Sequence, residues 1–547
     1  MTTRAKPLSV HKKTNDVSKK GINLSLSTSN STAALVEHAA QVYGDRVFIV
    51  DGAHALSFTD VATRVRALAS ALAARDFQYG SRAAIWAPNC AEWIIAALAI
   101  QYVGGTLVTV NTRYKATEAS QIIRDSGSSV AFVVDQFLGS DYADDLAAQN
   151  IEDLHHIVTI RAPGSASPDG IQTWISEGAV ATPEICARRD ALRRRVNENT
   201  VSDILFTSGT TGRAKGVVTT HGQNLKAFGT FASILGIESD DRYLIINPFF
   251  HSFGYKAGWL AALLRGATVY PMATFDVPQV LTAIKTHEIT VMPGPPTLFQ
   301  SILVHADLAH SDLSSLTKAT TGAAIIPTQL IIDMRETLGI DTVITAYGLS
   351  ETCGLVTMCR QGDPAEVIAQ TSGRAIPDVE VGIMRQNGTL AAPHEAGEIV
   401  VRGFNVMQCY FNDERATRET IDPEGWLHTG DIGTLDESGN LRITDRLKDM
   451  FISGGFNCYP AEIENQLLHH GAIAQAAVVG MSDERMGEVG AAFVVNKPGT
   501  SISEDALIAW CRDTMANYKV PRKIIFLDAL PMNASGKVLK TVLRQRL

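Results

Sequence analysis

The sequence predicts an α/β protein with a large N-terminal part, built on mostly parallel sheets and helices, and a small α+β part at its C-terminus. The chain has 547 residues, more than one hydrophobic core usually holds, so two or three domains are expected. From Thr32 onward strand-like and helix-like patterns alternate, which is typical of βαβ units around a parallel sheet. After Leu441 the pattern changes to short strands around a charged run, which indicates a second and smaller unit.

The composition is that of a protein with a large core and an acidic surface. Hydrophobic residues make up 45% of the chain and charged residues 19%, which excludes a disordered protein. The formal net charge of −9 provides no overall basic field for nucleic acid or an anionic membrane, so neither partner is expected. The seven cysteines have no CxxC spacing, which argues against a disulfide framework or a zinc site and favours a cytoplasmic protein.

Two segments near the N-terminus invite comparison with targeting or membrane signals. Residues 1–31 are polar and lack the apolar stretch of a secretory signal, so a disordered extension is predicted. The run from Ala91 to Val110 is long enough, at about 20 residues, to cross a bilayer, but it carries Glu92 and Gln101 and is split by Gly104-Gly105. We therefore predict a helix, a turn and a buried strand, with no integral membrane segment.

Hydrophobic spacing predicts the elements of the large part. Apolar residues recur at helical spacing from Thr59 to Ala74, Arg82–Trp86 forms a short apolar strand, and a second helix covers Ala91 to Gln101. Five short strands follow: Ile204–Phe206, Tyr243–Ile246, Ile289–Met292, Thr317–Thr320 and Thr342–Thr345. Each runs into a polar or Gly/Pro-rich loop: Thr207–Gly216, Asn247–Gly254, Pro293–Thr297, Thr321–Ala324 and Tyr347–Glu351. Ligands of open α/β sheets bind beyond the carboxyl ends of the strands, so five such loops on one rim predict one large site.

The small part has its own sequence of elements. Strands are predicted at Leu441–Thr444, Met450–Ser453, Ala474–Gly480 and Ala491–Val495. One helix starts at Tyr459-Pro460, because proline suits the first turn, and another is opened by Ser501 with Glu504 three residues on, as in a capping box. The boundary between the two parts is predicted at the charged run Asp445–Asp449.

The loop Thr207–Gly216 is the most informative motif of the chain. Its three glycines allow successive backbone N–H groups to converge, its hydroxyls add donors, and Arg213 and Lys215 add positive charge, a combination that binds phosphate. The loop lacks the Gly-Lys-Ser/Thr ending of a P-loop.

This run resembles the phosphate loop of the adenylate-forming (ANL) superfamily, which includes acyl- and aryl-CoA synthetases, peptide-synthetase adenylation domains and luciferases. Ala214 stands where many members have Pro. The other motifs of the family follow in order: Tyr347–Glu351, Trp426–Asp431, Asp445–Asp449 with Gly454-Gly455, and Pro531–Lys537. The resemblance covers roughly Thr32 to the C-terminus and implies four parts: the disordered extension (1–31), an N-terminal adenylation domain with the ATP and acyl pocket (32–445), a hinge (446–448) and a mobile α+β cap (449–547).

The resemblance implies that the large domain binds ATP and Mg²⁺. Activation of a carboxylate by ATP brings two anions together, so the site must supply cations and fixed donors. The phosphate-binding residues implied are Thr207, Ser208, Gly209, Thr210, Thr211, Gly212, Lys215 and Ser350. The adenine- and ribose-binding residues implied are Gly322, Ala323, Ala324, Tyr347, Asp431 and Arg446. Glu351 is implied to hold Mg²⁺, a hard cation that prefers oxygen ligands, and Arg446 and Glu351 are both assigned to catalysis.

The resemblance also implies two half-reactions and a domain rotation between them. Lys537 is the catalytic lysine that would bridge the carboxylate and the α-phosphate during adenylation. Lys448 stands at the hinge position, and Gly454 and Gly455 would leave a tunnel for the pantetheine arm of coenzyme A after rotation.

The loops after the middle strands predict the acyl pocket. Its predicted residues are Phe250, His251, Phe253, Gly254, Pro295, Thr297, Gly322 and Gly348. No carboxylate follows Phe250, whereas relatives that activate amino acids place an Asp there, so an amino acid substrate is disfavoured. Lys256 is expected to be a solvated lysine. The stretch Phe250–Gly258 is similar to that of bacterial ligases that act on carboxylates from steroid or other polycyclic skeletons.

These features predict an AMP-forming acid–thiol ligase that makes an acyl-AMP from a hydrophobic acid and then transfers the acyl group to coenzyme A. A polycyclic carboxylate is one substrate class, and medium- or long-chain fatty acids are the alternative. An acyl-AMP ligase that loads a carrier protein is a second alternative for the acceptor. The expected partners are the acid, ATP and coenzyme A, and a homodimer is compatible with the sequence.

Overall fold

The computed structural model describes residues 29–160, 170–207, 214–322, 326–446, 449–453, 456–458, 460–483, 486–515, 517–532 and 538–547. For residues 445, 446, 452, 456, 457 and 462 it describes the backbone only. The predicted N-terminal extension lies outside the described residues as far as residue 28. Ser31 then caps the first helix, because its side chain accepts a hydrogen bond from the Ala34 N–H.

Within the described residues the helices are, in chain order, α1 (Thr32–Tyr43), α2 (Phe58–Ala74), α3 (Ala91–Tyr102), α4 (Ala116–Ser126), α5 (Tyr142–Ala147), α6 (Gly170–Ala179), α7 (Pro183–Arg193), α8 (His221–Leu235), α9 (Ser252–Gly254), α10 (Ala261–Arg265), α11 (Val277–His287), α12 (Pro296–Leu303), α13 (Thr328–Glu336), α14 (Ala365–Gln370), α15 (Glu414–Thr420), α16 (Pro460–Leu468), α17 (Glu504–Thr514) and α18 (Lys540–Arg544). A π-helical turn covers Tyr255–Leu260, and 3-10 turns cover Ala306–His310 and Ser350–Thr352.

The strands of the described chain are β1 (Val47–Asp51), β2 (His54–Ser57), β3 (Arg82–Trp86), β4 (Thr106–Thr109), β5 (Val130–Val134), β6 (Gln136–Phe137), β7 (Ser140–Asp141), β8 (His156–Ile160), β9 (Val201–Thr207), β10 (Lys215–Thr220), β11 (Arg242–Ile245), β12 (Thr268–Pro271), β13 (Val291–Pro293), β14 (Lys318–Thr321), β15 (Thr342–Tyr347), β16 (Thr357–Met358), β17 (Arg374–Ala375), β18 (Val379–Met384), β19 (Gly397–Gly403), β20 (Cys409–Tyr410), β21 (Leu427–Leu435), β22 (Leu441–Arg446), β23 (Phe451–Ser453), β24 (Phe456–Cys458), β25 (Ile473–Asp483), β26 (Gly487–Asn496) and β27 (Lys523–Phe526).

Nine strands form a mostly parallel sheet in the order β17-β16-β15-β14-β13-β11-β12-β1-β2. Strands β11, β13, β14 and β15 are parallel neighbours, as the alternating pattern predicts. Their carboxyl ends therefore share one rim of this sheet. The strand before the glycine-rich loop, β9, is not among them, so the prediction of five loops on one sheet rim is wrong for this strand.

Strand β9 belongs to a seven-stranded sheet in the order β20-β10-β9-β4-β3-β5-β8. It runs parallel to β4 on one side and antiparallel to β10 on the other. The physical reason is that both edges of β9 are already paired, one with β4 and the other with β10, to which the glycine-rich loop joins it as an antiparallel hairpin.

Helix α3 lies between the two large sheets and explains the apolar run that resembles a membrane span. It contacts β1 of the nine-stranded sheet and β3 and β4 of the seven-stranded sheet, and all of its side chains are buried. A helix that is apolar on every face is one that the core surrounds. The turn and strand β4 follow, as predicted. Among the described residues, no helix is long and apolar enough to cross a membrane.

A four-stranded antiparallel sheet, β18-β19-β21-β22, packs on the same core and carries the next motifs. The C-terminal strands form a separate mixed sheet, β24-β23-β26-β25, with β27 parallel to β26. This sheet and helices α16 to α18 bury their own apolar clusters, one around Phe451 and one around Phe493. The domain limits at residues 445 and 449 stay predictions.

Helix α17 differs in its first turn from the prediction. Its N-cap is Ser503 rather than Ser501, because the Ser503 hydroxyl accepts from the Ala506 N–H. The Glu504 carboxylate accepts instead from the Ile524 N–H, so it ties the helix to β27 and does not close a capping box.

Candidate active site

The glycine-rich loop is closed at its base by paired strands. Thr207, at the end of β9, lies opposite Lys215, at the start of β10, and the Thr207 hydroxyl donates to the Lys215 carbonyl at 3.3 Å. The predicted phosphate-binding residues Ser208–Gly212 lie outside the described residues. The hairpin nevertheless places both ends of the loop side by side, so Thr207 and Lys215 belong to one surface.

Tyr410 connects this hairpin to Glu351. Its hydroxyl donates to Glu351 Oε1 at 2.8 Å, and Lys215 Nζ lies 4.8 Å from the centre of its ring. Strand β20 pairs with β10, and the Met407 N–H donates to the Glu351 carbonyl at 2.8 Å. Burial, and then the negative charge of Glu351, raise the pKa of Tyr410 well above its ordinary value, so the hydroxyl stays a donor. Sequence reasoning missed Tyr410, because the short segment around it has no motif that points to phosphate or metal chemistry.

Glu351 sits in the compact 3-10 turn that follows β15. The Leu349 N–H donates to the Thr352 hydroxyl at 2.9 Å, and Cys353 adopts a left-handed conformation with φ 57°. A Cβ added at Gly348 would lie 2.4 Å from the Gly354 carbonyl carbon, so this approach requires glycine. The turn therefore holds Ser350 and Glu351 beside the hairpin, and both are partly exposed.

Tyr347 and Asp431 are brought together across 84 residues of sequence. The Tyr347 hydroxyl donates to Asp431 Oδ2 at 2.6 Å, and both side chains are buried. Asp431 lies opposite Arg446 in the β21–β22 ladder, although the Arg446 side chain lies outside the described residues. Gly322 follows β14 directly, and a Cβ there would lie 3.3 Å from the Ala346 carbonyl oxygen. Three of the predicted adenine- and ribose-binding residues are thus neighbours, while Ala323 and Ala324 are not described.

The Glu398 carboxylate of β19 holds the start of β21, just before Asp431. The Glu398 carboxylate accepts from the Gly430 N–H at 3.0 Å and lies 2.8 Å from His428 Nδ1, while Asp422 lies 3.5 Å from His428 Nε2. Burial acts to lower the pKa of His428, but the two carboxylates outweigh it, and the pKa lies above its ordinary value. His428 is therefore a histidine of raised pKa on β21, the strand that carries Asp431.

The predicted acyl-pocket residues follow strands that are neighbours in the nine-stranded sheet. Phe250, His251, Phe253 and Gly254 come after β11, Pro295 and Thr297 after β13, Gly322 after β14, and Gly348 after β15. The Phe250 ring is buried and its centre lies 4.9 Å from that of His251, which is exposed. The order of the strands therefore brings these residues to one rim, as the loop pattern predicts.

Asn89 fixes the base of this rim, and sequence reasoning missed it. The two N–H groups of its side-chain amide are shared among the carbonyls of Ile245, Asn247 and Met272, which lie 3.0–3.2 Å from Nδ2, and its Oδ1 accepts from the Phe249 N–H at 2.8 Å. These contacts join the ends of β11 and β12 to the loop before α3. A lone asparagine before an apolar helix suggests only a turn, so the pattern offers no signal for this role.

Lys256 contradicts its prediction as a solvated lysine. Its side chain is 1% exposed and forms an ion pair with Asp203, which is 0% exposed, at 3.0 Å. The charge is buried because Lys256 lies in the π-helical turn Tyr255–Leu260, whose residues are all buried, and Asp203 lies on the central strand β9.

Several predicted residues lie outside the described residues. They are the catalytic Lys537, the hinge residue Lys448, and the tunnel residues Gly454 and Gly455. Their assignments stay predictions.

Family models and relatives agree with this architecture. A model of the AMP-binding enzyme family matches residues 36–411, and a model of the AMP-binding enzyme C-terminal domain matches residues 462–537. The chain belongs to the AMP-binding enzyme family. The predicted membership of the adenylate-forming superfamily is thereby confirmed.

Three relatives of this AMP-binding enzyme are named CoA ligases. A (7a-methyl-1,5-dioxo-octahydro-1H-inden-4-yl)propanoyl:CoA ligase from Rhodococcus jostii is 48% identical over 517 residues, covering 94% of this chain and 98% of the relative. A ligase of the same name from Mycobacterium tuberculosis is 48% identical over 511 residues, covering 93% and 96%. A long-chain-fatty-acid CoA ligase from Mycobacterium tuberculosis is 34% identical over 479 residues, covering 87% and 90%. The AMP-binding enzyme is therefore of the acyl-CoA synthetase type.

Solved structures confirm the fold. The ATP-bound structure of MatB from Rhodopseudomonas palustris matches with a TM-score of 0.83 and 26% identity, covering 94% of this chain and 98% of that one. An o-succinylbenzoate CoA synthetase from Bacillus subtilis, in complex with its acyl-adenylate, matches with a TM-score of 0.78 and 30% identity, covering 93% and 97%.

Proposed function

We propose that this AMP-binding enzyme is an acyl-CoA ligase for a carboxylate on a bicyclic or polycyclic skeleton. The probe we name is 3-(7a-methyl-1,5-dioxo-octahydro-1H-inden-4-yl)propanoate, hereafter the bicyclic propanoate. The observation that carries the proposal is the 48% identity, over 94% and 93% of the chain, to two relatives named for this acyl group. The buried Phe250 and the absence of a carboxylate after it support an apolar acid.

The first half-reaction joins the acid to AMP. A carboxylate oxygen attacks the α-phosphorus of ATP, the acyl–phosphate bond forms, and the bond to pyrophosphate breaks. In the proposal Lys215 and the glycine-rich loop hold the phosphates, and Ser350 offers a hydroxyl to the α-phosphate. Tyr347 offers its ring to adenine, and Asp431 accepts from the ribose hydroxyls. Cations and fixed donors at these positions stabilise the charge that develops on the phosphate.

The Glu351 environment fits a magnesium ion. A carboxylate held by the Tyr410 hydroxyl beside the phosphate hairpin supplies the hard oxygen that Mg²⁺ prefers. The described residues contain no group of three or more His, Cys, Asp or Glu able to hold a metal, so one carboxylate together with ATP phosphates is the fitting ligand set. When bound, Mg²⁺ would neutralise phosphate charge.

The second half-reaction transfers the acyl group. The thiol of coenzyme A gives up its proton to solvent and its sulfur attacks the acyl carbon. The thioester bond forms, the bond between the acyl carbon and the phosphate oxygen breaks, and AMP leaves with that pair of electrons. We propose that Lys537 acts in the first step only, and that rotation about Lys448 then brings Gly454 and Gly455 to the site. This division rests on the motifs that match the family.

Pyrophosphate release tests the proposed function. The purified protein is given ATP, Mg²⁺ and one acid at a time (the bicyclic propanoate, cholate, decanoate, palmitate or benzoate), with and without coenzyme A. We expect the highest kcat/KM with the bicyclic propanoate and sustained turnover only with coenzyme A. A preference for benzoate, or one equivalent of adenylate with no turnover when coenzyme A is added, would contradict it; the second result would indicate a carrier protein as acceptor.

A fatty-acid substrate is the second candidate function. It is favoured by the relative named for long-chain fatty acids, which is 34% identical. The same panel separates the two, because decanoate or palmitate would then exceed the bicyclic propanoate in kcat/KM.

A further inference from the structure

The ion pair of Lys256 and Asp203 is surrounded by hydrogen-bonding side chains. The Thr219 hydroxyl accepts from Lys256 Nζ at 3.0 Å and donates to Asp203 Oδ1 at 2.8 Å. The Asn224 amide donates to Asp203 Oδ2 at 2.6 Å. A buried pair of this kind gives little net stability compared with apolar residues, yet losing one partner leaves an uncompensated charge. Net stability therefore does not explain why an ion pair is buried at this position.

The pair connects the hairpin to the acyl pocket. Asp203 lies on β9 and Thr219 on β10, the two strands whose connecting loop is the predicted phosphate loop. Lys256 follows Gly254, the last predicted acyl-pocket residue of its segment, by two positions. The ion pair is thus a direct link between the strands that carry the phosphate loop and the segment Phe250–Gly254, which we call the acyl wall.

The Glu351 turn meets the same pair from a third side. Burial raises the pKa of the Cys353 thiol to about 12, and the charges of Lys256 and Asp203 act on it in opposite directions. A Cβ added at Gly354 would lie 2.8 Å from Ser252 Cβ, so the turn touches the acyl wall. The pair therefore lies where three segments of the site converge.

The backbone around Lys256 departs from regular α-helical geometry. Residues Tyr255–Leu260 form a π-helical turn, and Gly258 has a non-helical conformation with φ −86° and ψ −105°. Such π-helical turns are rare in proteins, and many of those that occur lie at functional sites. The Tyr255 hydroxyl accepts from the buried Gln101 amide at 2.7 Å, which anchors the turn to α3.

We propose that Lys256 and Asp203 form a positioning pair that holds the acyl wall at a set distance from the phosphate hairpin, so that the carboxylate of a bulky acid reaches the α-phosphate. Neither residue contacts the substrate in this proposal. It rests on the proposed function, since it assigns the acyl wall to the acid and the hairpin to ATP.

The test compares Lys256→Met with Lys318→Met. Lys318 is the control, because it pairs with Asp241 at 2.7 Å at the first residue of β14, on the rim opposite the site, although its side chain is 20% exposed where that of Lys256 is 1% exposed. We expect both variants to lower Tm. Lys256→Met should also lower kcat/KM for the bicyclic propanoate by about 10- to 100-fold, the scale of a misplaced reacting group, with KM for ATP changed less than about threefold. Lys318→Met should leave both constants within about twofold.

A double variant, Asp203→Leu with Lys256→Met, separates positioning from stability. Replacing both charges by apolar groups should raise Tm above that of Lys256→Met, since no unpaired charge remains, but not to the wild-type value, because Thr219 and Asn224 lose their acceptor on Asp203. The kcat/KM for the acid should stay low. Recovery of both quantities would overturn the proposal, and so would a Lys256→Met variant that loses Tm but not kcat/KM. If Lys256→Met does not fold, the kcat/KM of the double variant tests the proposal: a low value supports it and a wild-type value overturns it. Wild-type protein inactive on every acid of the panel would instead refute the proposed function.

Discussion

Replacing Tyr410 by phenylalanine removes one oxygen atom from the centre of the candidate site. The hydroxyl donates to Glu351 at 2.8 Å, while the ring lies 4.8 Å from Lys215 Nζ and remains in the variant. A hydrogen bond to a charged acceptor contributes about 1.5–3 kcal/mol. Because Glu351 is partly exposed and water can replace the donor, we take the lower end, about 1.5 kcal/mol, which corresponds to roughly a tenfold change.

The assay is pyrophosphate release with the bicyclic propanoate over a range of Mg²⁺ concentrations. Tyr410→Phe should lower kcat/KM for Mg·ATP by roughly tenfold and raise the Mg²⁺ concentration needed for half-maximal rate, because Glu351 loses its fixed orientation. Tyr410→Leu also removes the ring face from Lys215, so we expect a further loss of roughly two- to fivefold, the scale of a partly exposed cation–π contact. Comparison of the two variants therefore separates the effect of the hydroxyl on Glu351 from the effect of the ring on Lys215.

Tyr142→Phe serves as the control. Its hydroxyl donates to the Thr112 carbonyl at 2.6 Å, outside the candidate site. It should change Tm but not the Mg²⁺ dependence. If Tyr410→Phe leaves both kcat/KM and the Mg²⁺ dependence within twofold of wild type, the reasoning that Tyr410 orients a metal-binding carboxylate is refuted.

Three further predictions concern the predicted roles of Lys537 and Lys448 and the pKa of His428. Lys537→Ala should lower adenylate formation by roughly 10²- to 10³-fold but spare thioester formation from supplied acyl-adenylate; equal losses in the two assays would rule out that division. Lys448→Pro should block thioester formation and spare adenylation, because proline fixes φ at the hinge, and an unchanged overall rate would count against it. His428 has a raised pKa in the fold, so its stabilising charge is present below about pH 6.5 and lost as pH rises through the folded pKa. The Tm difference between wild type and His428→Gln should therefore be larger at about pH 6 than at about pH 8.5; a difference that grows with pH would show the opposite sign.

The strand pattern predicts many of the strands, but it does not predict how they are divided between the nine-stranded and the seven-stranded sheet. Strands β11, β13, β14 and β15 are each predicted as a short strand that runs into a polar or Gly/Pro-rich loop, and the structure pairs them as parallel neighbours. Strand β9 has the same kind of pattern, yet it pairs with β4 and β10 in the other sheet. An apolar run indicates that a strand is buried on both faces, and it does not indicate which strands lie beside it.

A sequence motif predicts the chemistry of a site best where all the functional groups involved lie within a few consecutive residues. The turn Tyr347–Glu351 is such a case, since it supplies a ring, a hydroxyl and a carboxylate in five consecutive positions. Its partners are remote: Tyr410 is 59 residues from Glu351, and Asp431 is 84 residues from Tyr347. Helix α3 is predicted as a helix of the protein core from Glu92, Gln101 and the Gly104-Gly105 break, but only the structure shows which two sheets enclose it.

The sequence by itself determined the family, the two-part α/β organisation, the order of the motifs and the reaction type, because these depend on local spacing and residue chemistry. The tertiary structure alone decided that Lys256 is a buried ion pair rather than a solvated lysine, that Tyr410 and Asn89 belong to the site, and that β9 forms a hairpin in the second sheet. The physical reason is that burial and pairing are properties of the packed chain. A lysine remains charged in the core only where a distant strand supplies a carboxylate, and no pattern around the lysine reports that strand.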